Sequence, residues 1–128
     1  MSKEFFSREL SACEALIMKS IWDYDGDMPL QQLLDTLKNE YQKDYARTTV
    51  ATFLSRLTAK GYVQTYRKGR TSYSHALMDK DEYKAKLIRE QADFWFNGDD
   101  VALVKALAKS KQYSQEEADQ ISDAVKNQ

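Results

Sequence analysis

Apolar residues recur at helical spacing through most of the chain, and one short region alternates instead. Val50, Phe53, Leu54 and Leu57 fall at i, i+3, i+4 and i+7, and so do Leu30, Leu33, Leu34 and Leu37; each set is the buried stripe of an amphipathic helix. An earlier segment holds Cys13, Leu16, Ile17, Ile21 and Trp22. It opens at Ser11-Ala12-Cys13-Glu14, an S-x-x-E capping box in which side chains and backbone satisfy each other at a helix start, and should close near Tyr24-Asp25-Gly26. Pro29 suits the start of the second helix, where its missing N–H costs nothing. Residues 42–45 are a short linker, so the second and third helices must be neighbours. The third helix stops at Lys60-Gly61, because glycine takes the left-handed φ without penalty. The period then changes. Tyr62-Val63-Gln64-Thr65-Tyr66 and Thr71-Ser72-Tyr73-Ser74-His75-Ala76-Leu77 are rich in β-branched and aromatic residues and flank Arg67-Lys68-Gly69-Arg70, which predicts a hairpin with a basic turn.

Two neighbouring helices, a glycine stop and a basic hairpin have the layout of a winged helix-turn-helix, whose third helix enters the major groove of double-stranded DNA. The apolar stripe commits one face of that helix to the core. Arg47, Thr48, Thr49, Ala51, Thr52 and Ser55 are therefore the expected recognition surface, with Arg56 and Lys60 nearer the DNA backbone. On the wing, Arg67, Lys68 and Arg70 are expected at phosphates. Charge supports this over a merely solvated helix and hairpin. Residues 43–70 hold seven basic side chains against Asp44 alone, a net +6, while the whole chain is −1. A basic patch on an acidic protein is a directed field. The rival reading is a winged-helix protein-interaction module that meets an acidic protein surface and never touches DNA.

Beyond Leu77 the character shifts. A helical stretch over residues 79–96 carries Tyr83, Leu87, Ile88, Phe94, Trp95 and Phe96; Asn97-Gly98-Asp99-Asp100 breaks it. A second helix has Val101, Val104, Leu107 and Ala108 on one face. A third opens at the capping box Ser114-Gln115-Glu116-Glu117 and carries Ala118, Ile121 and Val125. These helices hold too few apolar residues for a core of their own, and a second copy is the simplest partner. Leu87, Phe94, Trp95, Phe96, Val101, Val104, Leu107 and Ile121 are the expected dimer contacts. The fold class is mainly α with a small β-hairpin wing: a winged helix-turn-helix domain over residues 1–78, then a helical dimerisation segment over 79–128.

Composition narrows the classes further. With 42% hydrophobic residues the chain can build a core, while a mean hydropathy of −0.70 makes that core thin. No apolar run approaches the ~20 residues of a membrane span, so no membrane insertion is expected. Met1 to Leu10 carries no recognisable signal peptide, and the single cysteine, Cys13, has no partner for an internal disulfide, which predicts a cytoplasmic protein. Cys13 sits near an apolar face with no basic neighbour in sequence to activate it, so it reads as a small buried hydrophobe. His75, the only histidine, has no second ligand nearby in sequence, and no metal site or other cofactor is expected. Trp22 reads as core. Asp23, Asp25 and Asp27 alternate as in a calcium loop, yet no glutamate follows at the twelfth position and Pro29 interrupts the run. No nucleophile elbow, phosphate loop or Cys–His spacing is present, so no enzyme is expected.

Four stretches together resemble the penicillinase-repressor family of bacterial transcriptional regulators. Glu14-Ala15-Leu16-Ile17-Met18-Lys19-Ser20-Ile21-Trp22 is similar to the family's E-x-x-[IV]-M-x-x-[IL]-W, and TVATFLSRLTAKG, residues 49–61, to its recognition helix ending R-L-x-x-K-G. Arg67-Lys68-Gly69-Arg70-Thr71-Ser72-Tyr73 and Phe94-Trp95-Phe96-Asn97-Gly98 match in order and spacing. The resemblance implies a homodimer that binds a palindromic operator, interlocks through its C-terminal helices and silences a resistance or homeostasis operon. It also implies a membrane sensor metallopeptidase as a partner system. The chain departs from the family's pattern at three places. β-Lactam-responsive members carry basic side chains where Thr48 and Ala51 stand here, and alanine cannot read guanine as arginine does. Their cleaved Asn-Phe bond corresponds to Ala106-Leu107. The C-x-C tail of copper-sensing members is missing from VKNQ, and with it the thiolates that a soft metal needs.

Overall fold

The computed structural model describes residues 9–127. Residues 1–8, on which most of the signal-peptide reading falls, and Gln128 lie outside the described residues. The elements in order are α1 (Ala12–Asp23), β1 (Met28–Pro29), α2 (Leu30–Tyr41), α3 (Arg47–Ala59), β2 (Val63–Lys68), β3 (Thr71–Ala76), α4 (Lys80–Trp95), α5 (Asp100–Ser110) and α6 (Gln115–Lys126). They fall into two units, Met1–Lys84 and Ala85–Gln128. The architecture is a winged helix followed by C-terminal helices, as the hydrophobic pattern predicts.

The first unit is built on the stripes. The capping box at Ser11 and Glu14 starts α1 with both reciprocal bonds made. Ile17, Met18 and Ile21 of α1 meet Leu33 and Leu37 of α2 and Val50, Leu54 and Leu57 of α3, all buried. Phe53 is half-buried at the edge, its ring 5.8 Å from that of Tyr45. Met28, Tyr62 and Val63 close the core from the sheet side.

The sheet departs from expectation in two ways. Met28 and Pro29 form a third strand, β1, pairing antiparallel with Ser74 and Tyr73 of β3, so the order is β1-β3-β2. Proline is tolerated there because β1 is an edge strand, and two residues are too few to show an alternating pattern. The hairpin turn is also shorter than expected. Lys68 pairs with Thr71, leaving Gly69 and Arg70 as the loop, with Gly69 at φ +66°. A glycine with positive φ at the first loop position suits the II′ turn that matches strand twist. Arg67 and Lys68 therefore belong to strand β2, where successive side chains take opposite faces.

The expected boundary at residue 78 moves into α4. Trp22 Nε1 donates to Met78 O at 2.9 Å, and the Tyr83 ring lies 5.1 Å from Trp22 and 5.9 Å from Tyr62. The first turn of α4 is thus held by the first unit. In the second unit, Asn97 and Gly98 take positive φ to end α4. Asp99 caps α5 by accepting from Ala102 N at 3.1 Å. Arg89 ties α4 to the start of α5 through Asp93 and Asp100. Ser114 and Glu117 form the second capping box. Neither α5 nor α6 buries a residue. Among the described residues no helix is long and apolar enough to cross a membrane.

Candidate nucleic-acid interface

With Val50, Leu54 and Leu57 in the core, helical geometry turns the remaining positions of α3 outward. Thr48, Ala51, Thr52 and Ser55 stand at i, i+3, i+4 and i+7 along the opposite face, and these four, together with Arg47, Thr49 and Arg56, are exposed. The helix carries no acidic residue. Its side chains there are short, so a partner can approach the helix closely. Thr52 Oγ1 donates to Thr48 O at 3.0 Å, which spends its proton within the helix and leaves the oxygen able only to accept.

The cations beside this face are held in different ways. Arg47 Nη2 donates to Gln31 Oε1 on α2, and Gln31 Nε2 donates in turn to Asp35 Oδ1 at 2.9 Å. The Arg56 guanidinium lies over the Phe53 ring, 5.8 Å from its centroid, a contact that orients the charge without neutralising it. Lys60 is held by the protein itself. Its ammonium lies 2.7 Å from Glu14 Oε1 and 2.9 Å from Glu9 O, so it is turned into the protein. The reason is chemical: Glu14 is buried, and a buried carboxylate requires a counter-charge. Burial pushes the Glu14 pKa up, but the Lys60 ammonium and Ser11 more than reverse this and leave it below the ordinary value.

On the wing, cross-strand pairing puts Tyr66, Lys68, Tyr73 and His75 on one face and Val63, Thr65, Arg67 and Ser74 on the other. Lys68 and Arg70 are exposed. Arg67 Nη2 donates to Arg70 O at 3.2 Å, bracing the turn. Tyr66 and Tyr73 stack at 5.4 Å with 16° between planes. Asp27 accepts from Tyr66 Oη and lies 2.7 Å from His75 Nδ1. The hydrogen bond from Tyr66, and then His75, hold the Asp27 carboxyl below its ordinary pKa. Among the described residues no group of three or more His, Cys, Asp and Glu side chains comes together.

The second unit presents a different surface. Leu87, Phe94, Trp95, Val101, Val104, Leu107 and Ile121 are exposed, Trp95 at 68% and Val101 at 63%, while Phe96 is half-buried. An open groove of about 580 Å³ between α5 and α6 is lined by Val104, Leu107, Ala108, Tyr113, Ala118 and Ile121.

Sequence reasoning missed Gln31, Asp27 and Glu14 as supports for the site. Each acts across elements, and only the spacing within an element is visible in a linear sequence. The family model described as Penicillinase repressor matches residues 10–127. No curated protein matches the chain.

Proposed function

The chain belongs to the penicillinase repressor family, a family of DNA-binding transcriptional repressors, and from that premise we propose a homodimer that binds a palindromic operator. The observation that carries the reading is the exposed face of α3: Thr48, Ala51, Thr52 and Ser55 along one line, without an acidic residue, beside the basic wing. Such a face fits the major groove. Methyl groups of Ala51 and threonine pack on thymine C5-methyl groups, and the accepting oxygen of Thr52 suits a base amino donor such as adenine N6. Arg47 and Arg56 flank the groove edges, and Lys68 and Arg70 meet phosphates. Lys60 is left out of this surface because Glu14 engages its charge.

Dimerisation falls to α4–α6, supported by α5 and α6 burying nothing by themselves. Two-fold pairing would cover Leu87, Phe94, Trp95, Val101, Val104, Leu107 and Ile121 and would set the spacing of two half-sites. The releasing signal acts on the same helices. If it is proteolysis by a membrane sensor metallopeptidase, Ala106-Leu107 lies inside α5, where Leu107 O accepts from Ser110 Oγ at 2.6 Å and from Tyr113 Oη at 3.3 Å. Cleavage there requires α5 to open first, since proteases act on opened segments.

A gel shift against random and genomic duplexes tests the reading. A discrete complex with some genomic fragments at protein concentrations that leave random DNA free is the expected result. Uniform weak binding to every duplex, or none, would favour a protein-interaction module.

A further inference from the structure

The wing projects beyond the core: Val63 is the only buried residue of β2 and Ser74 the only one of β3. A two-stranded ribbon is marginal on its own, so its outer half needs support from elsewhere. The register places Tyr66 opposite Tyr73 and Gln64 opposite His75, and on this outer face the two tyrosine rings stack. Asp27, from the loop between α1 and β1, reaches both strands with one carboxylate. Oδ2 accepts from Tyr66 Oη on β2, and Oδ1 meets His75 Nδ1 on β3. Lys68 follows two residues after Tyr66 on the same face of the strand.

We infer that Asp27 is a positioning residue for the wing: its carboxylate clamps Tyr66 and His75 to the α1–β1 loop, so that Lys68 and Arg70 meet DNA phosphates in one preset arrangement. The inference rests on the DNA-binding reading above. Preorganisation of this kind strengthens binding by removing the cost of ordering the contact. The sign of the charge makes the idea sharp. An acid beside a cationic wing weakens attraction to DNA, so on charge alone its loss should tighten binding. As a clamp, its loss should weaken binding.

The test titrates the full-length chain onto a random-sequence duplex over a series of salt concentrations at neutral pH. Amide exchange of the free protein is measured alongside. Asp27→Asn and Tyr66→Phe should each bind roughly 3- to 10-fold more weakly than wild type. Tyr66→Phe keeps the ring stack and the charge, so it decides the matter if Asp27→Asn folds poorly. The slope of log affinity against log salt should stay as in wild type, because Lys68 and Arg70 still reach phosphates once the wing is ordered. Amides of β2 and β3 should exchange faster in both variants, with α1 unchanged. Equal or tighter binding by Asp27→Asn together with wild-type binding by Tyr66→Phe would overturn the clamp. A wild-type chain that binds no duplex would instead sink the DNA-binding reading, and amide exchange would still judge the clamp.

Discussion

Lys60 Nζ lies 2.7 Å from Glu14 Oε1, and this pair joins the end of α3 to the first turn of α1. Glu14 is 1% exposed, and its Oε2 has no hydrogen-bond partner among the described residues, so Oε1, which takes the Lys60 ammonium and the Ser11 N–H at 2.8 Å, carries all of the contacts to the buried charge. The orientation of the proposed recognition helix thus depends on an ion pair outside the DNA-facing surface.

Lys60→Met would strand the Glu14 carboxylate in the core. Breaking a buried pair by removing one partner costs about 3 kcal/mol or more, and the loss should appear as a lower urea midpoint with unchanged slope. A chain of unaltered stability but weaker DNA binding would return Lys60 to the DNA-contacting group. The pH dependence has a definite sign. Glu14 has a folded pKa below its ordinary value of 4.5, so its contribution is fully present above that value and is lost as pH falls through the folded pKa. The same chain with Glu14→Gln should lose stability less steeply between pH 5 and the acid limit, where the wild-type carboxylate must be protonated.

The helices and their buried faces were legible because each rests on spacing within one element: Val50, Leu54 and Leu57, or Leu33 and Leu37, are core residues in the pattern and in the structure. Both capping boxes were legible for the same reason. Strand β1 was not, since two residues have no period, and Arg67 and Lys68 passed for turn residues because a basic run hides where pairing stops. The roles of Lys60, Asp27 and Gln31 depend on partners 46, 39 and 16 residues away in the chain. The Tyr83 contact with Trp22 was likewise out of reach, which put the expected boundary ahead of the first turn of α4.

The wing should act through charge. Lys68→Ala or Arg70→Ala should weaken binding to all duplexes about equally and reduce the slope of log affinity against log salt by ~1 per lost contact. A changed base preference with the salt slope intact would mean that the wing reads bases.

Removing the second unit should separate folding from dimerisation. A chain ending at Lys84 keeps Tyr83 on Trp22 and Tyr62, and should fold, sediment as a monomer and lose most operator affinity with the loss of bivalency. A chain ending at Met78 should in addition be less stable, because a partly buried aromatic is gone. A dimer from the Lys84 chain would put the interface in the winged helix.

Thr52→Val preserves shape and removes the oxygen left free to accept from a base. The substitution should cost about 1–3 kcal/mol on the operator and little on random DNA. Its effect on stability should be small, since valine keeps the packing and Thr52 is exposed. Equal losses on both DNAs would make Thr52 a phosphate contact.

Selecting bound duplexes from a random pool and sequencing them would reveal whether a two-fold dimer reads DNA with the exposed face of α3. The enriched duplexes should carry an inverted repeat with half-sites rich in T·A pairs, their centres one helical turn of about 10 bp or a whole number of turns apart. The same selection with Thr52→Val should relax one position in each half-site. A pool that shows no enrichment, or a single asymmetric site with no second half, would contradict that reading.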